Sequence, residues 1–181
     1  MKKILFSIVL ILLTSCETLI LPETPIETNS KSCIQGSCKN GYGTLISKNK
    51  KYIGYFIDNK AHGLGTLVYK DGDKYSGNFI KGKFNGNGIL TKANGEKYDG
   101  EFLNGLYNGK GILTKATGEK YDGQFLNGLY NRKGILVYKN GSKYIGSFIK
   151  GKFNGNGILT KANGEKYDGQ FLNGLYNGKG T

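Results

Sequence analysis

KGKFNGNGILTKANGEKYDG, Lys81 to Gly100, recurs letter for letter at Lys150 to Gly169, and five of its twenty residues are glycine. The copy lies 69 residues on, which is three periods of 23. Written from each Tyr-x-Gly, the chain reads YIGYFIDNKAHGLGTLVYKDGDK from Tyr52, YSGNFIKGKFNGNGILTKANGEK from Tyr75 and YDGEFLNGLYNGKGILTKATGEK from Tyr98. It continues as YDGQFLNGLYNRKGILVYKNGSK from Tyr121 and YIGSFIKGKFNGNGILTKANGEK from Tyr144, and a partial sixth unit, YDGQFLNGLYNGKGT, starts at Tyr167. A fixed period without insertions marks a repeat architecture, in which each unit packs against neighbours like itself.

Within a unit, Tyr98, Gly100 and Phe102 are spaced by two and share one face of a strand. Asn104-Gly105 favours a two-residue turn with both residues at positive φ, which predicts Leu103 opposite Leu106, Phe102 opposite Tyr107, Gly100 opposite Gly109 and Tyr98 opposite Gly111. One face then alternates rings with bare backbone, and a tyrosine ring can lie flat over the glycine across from it. At the second turn, Ala116-Thr117-Gly118, a three-residue loop with Gly118 left-handed pairs Leu113 with Tyr121 and keeps every ring on one face.

The turn residues recur with the period. Gly72, Gly95, Gly118, Gly141 and Gly164 hold the second turn, with Asn49 in the earliest partial copy; Gly82, Gly105, Gly128, Gly151 and Gly174 hold the first, with Asn59 as the exception. Asparagine is the non-glycine residue that best tolerates positive φ, so both sets predict a left-handed backbone. Arg132 stands where another unit has Gly109, which implies a strand position that asks less strictly for a small residue. The predicted fold is all-β: consecutive hairpins joined edge to edge in an elongated single-layer antiparallel sheet of about 11 or 12 strands.

Upstream of the repeats the composition changes. MKKILFSIVLILLTSC has two lysines, an apolar run from Ile4 to Leu13 and small or polar residues up to Cys16, the layout of a secretory signal peptide over residues 1–15. The run is too short to span a bilayer. Leu13-Thr14-Ser15-Cys16 resembles the lipobox of bacterial lipoproteins, which implies cleavage before Cys16, acylation of that cysteine and a place on the bacterial cell envelope, tethered to a membrane by its acyl chains. Residues 16–32, with both prolines and repeated Thr and Glu, read as an extended tether. Residues 33–51 form an N-terminal cap, in which Gly41-Tyr42-Gly43-Thr44-Leu45 matches the second strand of a unit, and residues 52–181 hold five full repeats and a partial one. In an exported chain, Cys33 and Cys38 in CIQGSC are expected to form a disulfide across a tight turn. The net charge of +13 falls by 2 to +11 if Lys2 and Lys3 are removed, and a basic chain favours anionic surfaces.

Tyr-x-Gly-x-Phe, a glycine near the turn and then Gly-x-Gly, at 23-residue spacing, resembles the MORN repeat. The resemblance covers about Cys33 to Thr181. It implies hairpin units in one twisted sheet, no cofactor, and a role as scaffold, oligomerisation module or membrane-associated adaptor. The residues that carry it over are architectural: Tyr98, Gly100, Phe102, Gly105, Gly109 and Gly111 and their counterparts. Enzymes with such repeats owe catalysis to a fused domain, for which this chain has no room, so a non-enzymatic protein is expected.

Motifs of other chemistries fit poorly. Gly109-Lys110-Gly111 lacks the spacing of a phosphate loop and the helix that would follow it. Asp71-Gly72-Asp73 has Tyr75 where a calcium loop needs a ligand. Glu96, Asp99 and Glu101 recur as Glu119 with Asp122 and Glu165 with Asp168, interleaved with lysines, which reads as a solvated charged face and not as a catalytic pair. His62 is the only histidine, and neither a metal site nor a hydrolase triad can be assembled around it.

The aromatic stripe remains as the candidate binding face: Tyr52, Phe56, Tyr75, Phe79, Tyr98, Phe102, Tyr107, Tyr121, Phe125, Tyr130, Tyr144, Phe148, Tyr167 and Phe171. With no second layer over it, the stripe is expected to stay partly available. The partners it fits are an extended peptide of another protein, a second copy of this chain, anionic lipid headgroups, or a glycan stacked on tyrosines. Export argues against nucleic acid, although basic residues among aromatics suit single strands.

Overall fold

A computed structural model describes residues 31–178 and 180–181. The signal peptide, Cys16 and all but the last two residues of the tether lie outside the described residues. The first hairpin is β1 (Ser32–Gly36) and β2 (Gly41–Ser47), and the first full repeat is β3 (Lys50–Ile57) and β4 (Lys60–Tyr69). The next repeats are β5 (Lys74–Ile80) with β6 (Lys83–Thr91), β7 (Lys97–Leu103) with β8 (Leu106–Thr114), and β9 (Lys120–Leu126) with β10 (Leu129–Val137). They are followed by β11 (Lys143–Ile149) with β12 (Lys152–Thr160), and by β13 (Lys166–Leu172) with the short β14 (Leu175–Asn177). The 14 strands of the described residues lie in sequence order in one antiparallel sheet. The expected 11 or 12 falls short because the cap contributes two strands and the partial last unit contributes two.

The turns follow the glycine pattern, with one exception. Asn104 and Gly105 have φ of 52° and 91°, and Asp58 and Asn59 do the same with φ of 49° and 59°, as a primed two-residue turn requires. At the second turn Gly118 is left-handed at φ 92°, and Leu113 pairs with Tyr121. Asn49, however, is not left-handed. Ser47 pairs with Lys50 across Lys48-Asn49, so this loop is a residue shorter than its sisters and needs no left-handed third position.

The strand register departs from the simple hairpin at one point per repeat. Phe102 pairs with Tyr107 and Leu103 with Leu106, but Gly100 pairs with Gly111 and Tyr98 with Leu113. Glu101 thus stands opposite Asn108, Gly109 and Lys110, a bulge that adds two residues to β8. An even number of extra residues leaves side-chain parity intact, so the rings still share a face. Gly109 turns the bulge with φ 63°. Arg132 takes the same conformation at φ 55°, so what this position shares between units is a left-handed backbone; a Cβ on Gly63 or Gly155 would meet nothing closer than 3.9 Å, whereas one on Gly109 would meet the Glu101 carboxylate at 2.6 Å.

Adjacent hairpins are locked by backbone bonds at the primed turns. Gly105 N–H donates to the carbonyl of Phe84 at 2.9 Å and Gly128 N–H to that of Tyr107 at 2.8 Å, and the pattern repeats along the sheet. At the cap, Cys33 and Cys38 are joined by a disulfide.

Candidate interaction surfaces

The ring face is built from glycine upward. Each repeat apposes two glycines across its hairpin, Gly100 and Gly111 in the third, and the ring of Tyr98 lies over both so closely that a Cβ on either would run into it. Its hydroxyl donates to the carbonyl of Glu101 at 2.8 Å. Tyr75 donates in the same way to Asn78 at 2.9 Å, Tyr121 to Gln124 at 2.9 Å and Tyr144 to Ser147 at 3.0 Å. A second ring then covers the first: Tyr107 is stacked on Tyr98 at 3.8 Å and 9°, Phe84 on Tyr75 at 3.7 Å, Tyr130 on Tyr121 at 3.8 Å and Phe153 on Tyr144 at 3.7 Å. Two phenylalanines wall the stack edge-on, Phe102 of the same unit and Phe125 of the next, each 5.0 Å from Tyr98. This is how one sheet makes a core without a second layer.

The consequence corrects the expected binding face. Tyr75, Tyr98, Tyr121 and Tyr144 are 0 % exposed, and Tyr52, Phe56, Phe79, Phe102, Phe125, Phe148 and Phe171 are buried with them. From Tyr75 to Phe153 their faces and edges are spent on glycines and on one another, which leaves those rings no face for a ligand. Tyr107 and Tyr130, in the upper layer, are half-buried, as is Tyr167. Burial pushes the Tyr75 and Tyr121 phenols up to about 12 and raises those of Tyr98 and Tyr130 as well, with Glu101 and Glu119 as the next contributors.

The repeated acids lie in ion pairs and hydrogen bonds within their own loops and hairpins. Glu96, Glu119 and Glu165 pair with Lys92, Lys115 and Lys161 at 2.7, 2.6 and 2.6 Å, and the Lys115 ammonium stands 6.0 Å from the centre of the Tyr130 ring. Glu101 accepts a hydrogen bond from the Lys110 backbone N–H at 3.0 Å, across the bulge. No two carboxylates are set against each other in any of these contacts.

Two surfaces escaped the sequence reading, one spanning the cap and the first repeat and one within the first repeat. On the outer face, opposite the rings, Tyr42 and Tyr55 pair across β2 and β3 with ring centres 5.2 Å apart. They are 57 % and 53 % exposed, and Leu64 beside them is 69 % exposed. A shallow hollow is shared by these three with Ile53 and Thr66. Where the first unit has Tyr55, the others have Asn78, Glu101, Gln124 and Ser147; where it has Leu64, they have Asn87, Lys110, Lys133 and Asn156. Replacement of polar residues by apolar ones at solvent-facing positions is the signature of a contact surface. On the ring face, Ala61 takes the place of the upper ring, and among the described residues Tyr52 has edge contacts but no stacked partner. Both departures were visible in the aligned units, at positions outside the Tyr-Gly-Phe pattern.

Comparison with family models matches the MORN repeat at residues 52–74, 75–97, 98–120, 121–143, 144–166 and 167–181. No curated protein matches the chain. Among solved structures, the chain is similar to the SAS-4 (dCPAP) TCP domain of Drosophila melanogaster, determined in complex with a proline-rich motif of Ana2 (dSTIL), with 15 % identity. The alignment covers 81 % of this chain and 94 % of that one at a TM-score of 0.31, too slight a likeness to bear on function.

Proposed function

The chain belongs to the MORN repeat family, and from that premise we propose that it is a non-enzymatic scaffold of the bacterial envelope, lipid-anchored through Cys16, that holds a protein partner on the outer face of its first repeat. The observation that carries this reading is the exposed Tyr42, Tyr55 and Leu64 cluster, set where every sister unit is polar. The outer patch joins two exposed tyrosine rings to an exposed leucine, and aromatic anchors dominate binding energy at protein interfaces. The lipobox-like Leu13-Thr14-Ser15-Cys16 supports the anchor, and the tether that follows brings the first repeat nearest to the membrane.

The test is photo-crosslinking in intact cells from a reactive residue at position 55. An adduct of defined mass is expected, lost when Tyr42 and Leu64 are both replaced by Glu while thermal stability is kept. An adduct indifferent to those replacements would contradict the reading. Cys16→Ser is expected to release the protein into the soluble fraction, and retention in the membrane would refute the anchor. For a glycan-binding role, the alternative read from the sequence, the tyrosines of the Tyr-x-Gly pattern from Tyr52 to Tyr144 are buried, and the exposed rings among the described residues are Tyr42, Tyr55 and Tyr176.

A further inference from the structure

In four consecutive repeats the same cage holds an aromatic side chain. Its floor is the tyrosine face, its two walls are phenylalanine edges, and its occupant is Phe84, Tyr107, Tyr130 or Phe153, stacked within 3.8 Å of the floor. The first repeat has the floor and the walls as well, with Tyr52 5.0 Å from both Phe56 and Phe79 in edge geometry. Ala61 occupies the position of the fourth ring, paired with Phe56 as Tyr107 is with Phe102. The result is a cleft of about 200 Å³ over Tyr52, Phe56 and Phe79. Lys31, Lys50 and Lys60 stand around it, and among the described residues no Asp or Glu lines it.

We propose that this cleft is a binding site for an aromatic side chain carried on an acidic segment of a partner protein, which inserts its ring where the sister repeats supply their own. The stacking geometry in the sister units fixes the chemistry of the occupant: a flat six-membered ring meets a tyrosine face and two phenylalanine edges at once. The three lysines fix the charge of what flanks it, since a segment with acids on either side of the ring meets cations at the cleft mouth. A basic or aliphatic segment gains neither interaction. The inference takes from the proposed function only that the partner is a protein, and it lies on the opposite face of the sheet from Tyr42 and Tyr55.

The experiment titrates the full chain with the acetylated, amidated peptide Asp-Glu-Phe-Glu-Asp by calorimetry, beside the same peptide with Ala for Phe. One peptide is expected to bind per chain, at least about tenfold more tightly with Phe than with Ala. Ala61→Phe gives the first repeat the ring its sisters have; it is expected to raise the melting temperature and to weaken peptide binding by at least about tenfold. Lys60→Glu is expected to weaken binding without changing the melting temperature. Equal affinity for the Phe and Ala peptides, or full affinity retained in Ala61→Phe, would overturn the proposal, and the peptide pair decides on the unaltered chain should the variant fold poorly. Ala61→Phe leaves the outer face untouched, so the crosslink from position 55 reports separately on the scaffold reading.

Discussion

Tyr98 lies flat across Gly111, with no room between ring and backbone for a methyl group. Gly111 is not in the left-handed region, so its demand for glycine is steric alone. Gly111→Ala is therefore expected to destabilise its repeat by about 1–3 kcal/mol, the range for overpacking a filled site. Chemical denaturation checks this, and Tyr98→Ala combined with Gly111→Ala should lose much less than the sum of the two, because the methyl group then enters the space the ring has left.

Arg132 tests the opposite case, a position that demands glycine for its backbone and not for space. With φ at 55°, Arg132→Gly is expected to stabilise the chain by about 1 kcal/mol, the cost of holding a side-chain-bearing residue left-handed. In urea denaturation the midpoint should rise. No change, or a fall, would mean that the arginine side chain makes compensating contacts.

The buried phenols set the alkaline limit of the fold. Burial holds the folded pKa of Tyr52, Tyr75 and Tyr121 up at about 12, above the ordinary phenol value of 10.0. Below the unfolded value both states are protonated and stability does not depend on these groups; above it the unfolded chain releases protons that the folded chain retains, and stability falls with rising pH. Circular dichroism should show a melting temperature insensitive to phenol ionisation up to about pH 10 and falling between about 10 and 12.

The disulfide between Cys33 and Cys38 closes a short loop in the cap. Stability in repeat arrays is a matter of units and neighbours, so its reduction should act locally, with a loss of about 2 kcal/mol by loop entropy. Hydrogen exchange should quicken in β1 and β2 and stay unchanged from β7 onward.

Much of this architecture is written in the period. Asn-Gly at the tips and a glycine at the third position of the wider loops fix two turn types, and parity then sends every Tyr and Phe of the pattern to one face. The bulge at Asn108-Gly109-Lys110 is not legible in that way: two extra residues restore parity, so a register without it satisfies the same alternation. Gly109 thus looks like a seat for a ring when it is a left-handed corner, and Gly111 is the seat. The burial of the rings was hidden for a related reason. A single sheet has no second layer in sequence, and the stacking of Tyr107 on Tyr98 makes that layer from the hairpin itself. The Tyr42, Tyr55 and Leu64 patch lies at positions where a repeat pattern records only variation.

The claim on which all of this depends is that the tyrosines of the Tyr-x-Gly pattern are core and those of the outer face are surface. Nitration of the full chain with tetranitromethane at pH 8, followed by peptide mass spectrometry, reads it directly. Tyr42 and Tyr55 are expected to be modified while Tyr75, Tyr98, Tyr121 and Tyr144, fully buried and hydrogen-bonded to backbone carbonyls, stay unmodified in the folded protein. Modification of Tyr98 and Tyr121 at the rate of Tyr42 and Tyr55 would contradict the account.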